Sequence, residues 1–196
     1  MHDALLGLSG GLDSVYVLYR WLSDNPGKRL LVHHCRLVNR HGRQPLETQG
    51  ARAAVDWCRA QGLDNFDYFE TSIDVGDLRN LPYDEFLLTV LNGLILRDAR
   101  YRNIPVLLVP TPKDEYDRLG GRLTRRRAKS GRIRAHFVNT NIRSEYPVER
   151  MTKADILAAC PADLRALSWS CRAPLADGGR CHTCHTCRQI DEAQQR

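Results

Sequence analysis

The stretch Ala4-Leu5-Leu6-Gly7-Leu8-Ser9-Gly10-Gly11-Leu12-Asp13-Ser14 decides the fold. Ala4–Leu8 is a short apolar run of strand length, and Ser9-Gly10-Gly11 breaks it at once. Leu12–Ser23 then takes up a helical period that Asn25-Pro26-Gly27 ends. A glycine-rich turn between a strand and a helix lets the backbone approach a ligand closely. The free N–H groups at the helix start, aided by the helix dipole, favour an anion. Ser9 and Ser14 add hydroxyls. Asp13 is out of place beside a phosphate unless a divalent cation lies between them. The loop lacks the Gly-Lys-Ser/Thr of a Walker A loop and the spacing of a GxGxxG fingerprint. A plain turn with Asp13 as a cap is the competing reading.

Outward from this stretch, apolar runs and helical periods alternate. Strands are expected at Arg29–Val38, Asn65–Thr71, Ile104–Val109 and Ala135–Asn139. Helices are expected at Leu46–Gln61, Tyr83–Arg102 and Thr152–Ala159, the last opening on a capping-box pair, Thr152 and Asp155. Alternating strands and helices predict an α/β fold: an open, mainly parallel five-stranded sheet with helices on both faces. Ligands in such sheets sit at the carboxyl ends of the strands.

The chain has 196 residues, 42% of them hydrophobic and 27% charged, enough to build a core of one domain plus a small appendage. No apolar run approaches the length of a membrane span. The N-terminal run has neither a basic flank nor a small-residue cleavage site, so a cytosolic address is expected. The formal net charge is +6. Arg122, Arg125, Arg126, Arg127, Lys129, Arg132 and Arg134 account for it, with no acid among them. Segment 122–134 reads as a basic loop: solvated, or a lid over a triphosphate, or a nucleic-acid contact.

Four of seven cysteines, Cys171, Cys181, Cys184 and Cys187, fall in the last 26 residues. In a cytosolic chain that spacing reads as a metal site before it reads as disulfides. Four soft ligands suit a structural zinc ion, and the Asp177-Gly178-Gly179 turn would return Cys171 to the other three. An iron–sulfur cluster also fits four cysteines. His182 and His185 are alternative ligands, each beside a cysteine that would turn it away. Cys35, Cys58 and Cys160 read as small core residues, and His33 and His34 alternate across a strand.

The Ser9-Gly10-Gly11-Leu12-Asp13-Ser14 loop resembles the SGGxDS motif of the PP-loop ATP pyrophosphatases. Leu167-Ser168-Trp169-Ser170-Cys171, the Cys181-x2-Cys184-x2-Cys187-Arg188 ending, Pro147, and Met151-Thr152-Lys153-Ala154-Asp155-Ile156 resemble the 7-cyano-7-deazaguanine synthase branch of that superfamily. Glu47 stands where the branch often has a glutamate. The chain departs from the branch at Leu81–Phe86 and at Val109–Arg118.

The resemblance implies a PP-loop ATP-binding domain over residues 1–160 and a four-cysteine zinc segment over 161–196. Leu8, Ser9, Gly10, Gly11, Leu12, Asp13, Ser14 and His33 would hold ATP and Mg2+. Ser9, Asp13, Ser14 and Lys153 would serve catalysis, and Asp114, Asp117 and Arg118 would meet the substrate. Zn2+ would sit on Cys171, Cys181, Cys184 and Cys187. The implied reaction is ATP-dependent conversion of 7-carboxy-7-deazaguanine and ammonia to the nitrile through an adenylated carboxylate and an amide. The implied assembly is a homodimer. Three other readings stay open: a variant that stops at the amide, a PP-loop enzyme acting on a base in tRNA or DNA, and a catalytically eroded nucleotide-binding protein. The last two draw on the basic segment 122–134 and on the two departures.

Overall fold

Leu5, Leu6, Leu30 and Leu31 are fully buried, so the strands that carry them must be covered on both faces. A computed structural model describes residues 1–76, 78, 84–137 and 142–195. The described residues form one parallel sheet of five strands in the order β3-β2-β1-β4-β5: β1 Ala4–Gly7, β2 Leu30–Val38, β3 Phe66–Asp74, β4 Val106–Leu108 and β5 Arg143–Glu145. Successive side chains point to opposite faces, which sorts the core into two layers. Leu6, Leu8 and Val32 face α1 (Leu12–Asp24) and α2 (Gln44–Ala60). The same layer takes in α6 (Lys153–Ala159), α7 (Ala162–Leu167) and α8 (His185–Gln194) through Ile156, Leu164 and Ile190. Leu5, Leu31 and Leu107 face α3 (Asp84–Arg97) through Ile95 and Leu96. α4 (Lys113–Leu119) follows β4, and α5 (Gly121–Ala135) packs beside α3, where the Ser130 hydroxyl donates to Glu85 at 3.1 Å.

The strand order reverses between β1 and β4, because the chain leaves β1 toward one edge and reaches β4 from the other layer. A crevice opens at that point above the carboxyl ends of the two strands. The loop after β1 is Ser9–Gly11, and the loop after β4 leads into α4. Topology alone therefore brings the glycine-rich turn and residues 113–118 to one end of the sheet.

The α/β architecture with a parallel five-stranded sheet is the one expected, and the Thr152–Asp155 capping box is formed, with Asp155 N–H donating to Thr152 Oγ1 and Thr152 N–H to Asp155. Three expectations need correction. The basic segment 122–134 is not a loop but helix α5. Arg, Lys and Ala are strong helix formers, and Leu123 and Ser130 bury one side. The Arg127 guanidinium lies over the rings of Tyr116 and Tyr146, 4.0 and 3.4 Å from their centroids, so part of the charge is absorbed by aromatic faces. The fifth strand is Arg143–Glu145 rather than 135–139: Ala135 ends α5, and 138–139 lie outside the described residues. The helix expected over Tyr83–Arg102 is described from Asp84 and stops at Arg97; Leu81, Pro82 and Tyr83, the first of the family departures, lie outside the described residues. Among the described residues, no helix is long and apolar enough to cross a membrane.

Candidate active site and metal centre

The glycine turn is locked from three sides. Gly10 has φ +80°, and a Cβ there would lie 2.1 Å from the Glu47 carbonyl oxygen on α2. Only glycine meets both demands. Gly50, one turn further along α2, leaves room for the Gly10 carbonyl, which accepts from Trp169 N–H at 2.8 Å. Ser14 is buried, and its Oγ takes Ser9 N–H at 3.1 Å, lies 2.9 Å from Ser9 Oγ and donates to Gly11 O. At the start of α1, Gly11 N–H donates to Ser9 Oγ at 3.2 Å and Leu12 N–H to Ser170 Oγ at 3.0 Å. The Leu8 and Leu12 side chains are buried in the core, so these two residues offer the site only backbone. Two hydroxyl oxygens thus occupy a helix N-terminus, where anionic oxygens bind favourably.

Lys153 joins the C-terminal half to this turn. It is the first residue of α6, 4% exposed, and its ammonium hydrogen-bonds the Asp13 carboxylate. Asp114 accepts the Lys153 backbone N–H at 2.5 Å and so fixes the start of α6. Asp114, Arg118, Thr152 and Lys153 line a cavity of about 410 Å³, completed by His185 and Arg188 of α8. Of the three residues expected to meet substrate, the structure brings Asp114 and Arg118 to this cavity. Arg118 is paired with Glu115 at 2.6 Å. Asp117 lies outside the lining and pairs with Lys113 at 2.5 Å.

His33 sits elsewhere. Its ring is 2% exposed, packs on Phe69 with centroids 4.7 Å apart, and bonds Thr71 Oγ1 at 2.8 Å. Burial pushes its pKa down to about 4, so the ring is neutral. Only its carbonyl reaches toward the turn, accepting Leu8 N–H at 2.8 Å. His34 is a second satisfied core histidine, held by Leu8 O and Thr48 Oγ1. Glu47 is partly buried beside Arg43 at 3.0 Å, and burial raises its pKa. Cys58 and Cys160 lie in the core, and burial pushes their thiols up to about 12 and about 11.

The four C-terminal cysteines converge. The Sγ atoms of Cys171, Cys181, Cys184 and Cys187 all lie within 4.8 Å of one another. The expected reversal is present: Gly178 has φ +82°, and Leu175 N–H donates to Gly179 O at 2.9 Å. Cys184 caps α8 and Cys187 lies in its first turn. N–H groups of Cys181 and Cys184 donate to Cys171 Sγ and Cys181 Sγ at 3.4 and 3.2 Å. Hydrogen bonds from Thr183 and Cys184 pull the Cys181 thiol down to about 5. His182 instead bonds Asp191 at 2.9 Å, and His185 Nε2 lies 3.3 Å from Glu115, so neither histidine joins the cluster. Thiolates around one tetrahedral ion stand about 3.8 Å apart at an ion–sulfur distance of about 2.3 Å. A four-iron cluster needs them on the order of 6 Å apart. The donor set and its spacing fit a single ion.

The sequence alone does not place Ser170 at the glycine turn, nor His185 and Arg188 at the cavity. The signal for Ser170 was its place beside Trp169 and Cys171, which says nothing of where the segment docks.

No protein family matches the sequence, and no curated protein does. Among solved structures the fold is similar to that of the U34-tRNA thiolase NcsA from Methanococcus maripaludis with its [4Fe-4S] cluster, with a TM-score of 0.57 and 16% identity. The likeness covers 99% of this chain and 63% of that one, so this chain spans less than two thirds of the neighbour's length.

Proposed function

We propose that the chain is an ATP-using, PP-loop-type enzyme that adenylates an oxygen on a nucleobase-type acceptor, the acceptor being a 7-deazaguanine carboxylate. The observation that carries this reading is the pairing of buried Lys153 with the partly exposed Asp13 at the glycine turn. It joins the glycine turn to the Thr152–Ile156 motif 140 residues away, and it puts one fixed cation and one carboxylate beside a helix N-terminus.

In this reading the triphosphate lies on the start of α1, its oxygens taking the places of the Ser9 and Ser170 hydroxyls. Asp13 would hold Mg2+. Mg2+ supplies Lewis-acid stabilisation of the leaving oxygens. The acceptor carboxylate attacks the α-phosphorus, the α–β phosphoanhydride breaks, and pyrophosphate leaves. Lys153 and the turn's N–H groups hold the charge that develops on it. Ammonia then attacks the acyl adenylate, AMP leaves, and an amide remains. A second ATP adenylates the amide oxygen with loss of one N–H proton, and departure of AMP with loss of the remaining N–H proton leaves the nitrile. The four thiolates would hold a zinc ion with no open position, a structural role. Arg118 and Asp114 in the adjoining cavity offer a cation for the carboxylate and an acceptor for the purine's N–H edge.

Turnover tests this. Zinc-loaded protein is incubated with Mg2+, ATP, ammonium and 7-carboxy-7-deazaguanine, and products are read by mass spectrometry. The expected result is AMP with a product of nitrile or amide mass. ATP binding without AMP formation would leave the eroded-site alternative standing. A second reading, an acceptor base already within tRNA or DNA, draws support from the similarity to a tRNA thiolase and from the arginine-rich α5.

A further inference from the structure

Helix α5 places six of its seven cations on two faces, with the half-buried Arg126 between them. Toward the protein lie Leu123, Ser130, Arg127 and Arg134: Leu123 and Ser130 are buried, Arg127 sits between two tyrosines, and Arg134 donates to Ser144 at 2.8 Å. Toward solvent lie Arg122, Arg125, Lys129 and Arg132, all exposed. At about 100° per residue these four fall within an arc of about 80°. Arg122, Arg125 and Arg132 have no carboxylate partner among the described residues, and Lys129 rests over the Phe86 ring, 4.5 Å from its centroid. Like charges at i,i+3 and i,i+4 destabilise a helix, and a polyanion laid along the stripe relieves that repulsion.

We propose that this face of α5 docks the phosphodiester backbone of a nucleic acid. The four cations rise in steps of about 4.5–6 Å. That is the scale of successive phosphates, which are about 3.4 Å apart along a duplex axis and further apart in an extended strand. The stripe is held rigidly, because the opposite face is fixed by aromatic stacking and burial. It is also linked to the candidate site by one short helix: α4 carries Tyr116 to Arg127 and Asp114 to Lys153. The inference goes beyond the adenylation reading and does not depend on it, since docking needs no turnover.

The test is fluorescence anisotropy of a 20-nucleotide single-stranded RNA with the full, zinc-loaded chain across a salt series. Four backbone contacts give a slope of log K against log salt of about −3. The variant R122Q/R125Q/R132Q keeps helix-compatible side chains. It is expected to bind at least about tenfold more weakly at physiological salt and to lose about 2 from the slope. R122K/R125K/R132K is expected to bind like the parent. A control, K28Q/R97Q/R102Q, removes equal charge from other exposed positions and is expected to keep the slope. Circular dichroism of each variant separates misfolding from lost contacts. The proposal is overturned if the parent does not bind, if the control loses as much as the α5 variant, or if polyglutamate of equal charge competes as well as RNA. AMP release with a free deazapurine is measured on the same proteins, so lost docking with intact turnover leaves the adenylation reading untouched.

Discussion

Replacing Gly10 by alanine is the sharpest perturbation of the glycine turn. At φ +80° an alanine pays the left-handed penalty, about 1–2 kcal/mol. Its methyl would also sit 2.1 Å from the Glu47 carbonyl oxygen and 3.0 Å from Ala51 N, both backbone atoms of α2. A helix backbone cannot swing aside as a side chain can, so α2 must shift, adding about 1–3 kcal/mol of overpacking. The sum is about 3 kcal/mol, and at a urea m-value of about 2 kcal/mol/M the midpoint falls by about 1.5 M. Gly11→Ala is the matched control: its φ is −79°, and its new methyl meets nothing closer than Ser9 Oγ at 3.3 Å. Its loss should stay under about 1 kcal/mol. Urea unfolding followed by tryptophan fluorescence reads both. Equal midpoints for the two variants would sink this account, because one carbonyl and one dihedral angle are held responsible for the whole difference.

Lys153→Met should lower AMP formation by at least about 100-fold. The double variant K153M/D13N, which leaves no unpaired buried charge, should recover folding without recovering activity; recovery of both would remove Lys153 from the chemistry. Zinc should bind at one ion per chain, and a chelator should release it with loss of the α8 helical signal. Cys171→Ser should prevent binding while His182→Ala should not. Acid should destabilise the fold through His33, whose pKa drops from an ordinary 6.5 to about 4 on burial. Above pH 6.5 the ring is neutral in both states; as pH falls to about 4 only the unfolded chain takes up the proton, and about 3 kcal/mol of stability is lost. His34, also shifted down by burial, adds to the same slope. His33→Gln should flatten the dependence of the urea midpoint over that window, and an unchanged slope would locate the acid sensitivity elsewhere.

Local chemistry that closes within a few residues was legible in the sequence. The turn at Ser9–Gly11, the capping box at Thr152, and the Cys-x2-Cys steps all express short-range geometry. The doubly covered strands were legible because their apolar runs are continuous. What failed did so because a distant partner decided it. Segment 122–134 looked like a loop from its charge alone, yet Tyr116 and Tyr146 take up Arg127 and make a helix stable there. Strand β5 reads Arg-Ser-Glu and has no apolar signature; it is a strand because its backbone pairs with β4. Asp114 lines the cavity as the substrate reading needs, but its hold on a backbone N–H 39 residues away could not be read from the sequence. Ser170 could be linked to the turn only once the sheet had brought residues 10 and 169 together.

That last link has a bearing on how the protein comes into being. Leu12, at the glycine turn, leaves a ribosome 158 residues ahead of Ser170, whose hydroxyl takes its N–H, and the Trp169 amide that closes the turn comes just before Ser170. At about 5–20 residues per second, the two are separated by on the order of 10–30 s of synthesis. Through that interval the N-terminal segment has neither its lysine nor its cap. The turn is therefore completed only when the cysteine-bearing segment folds back onto it.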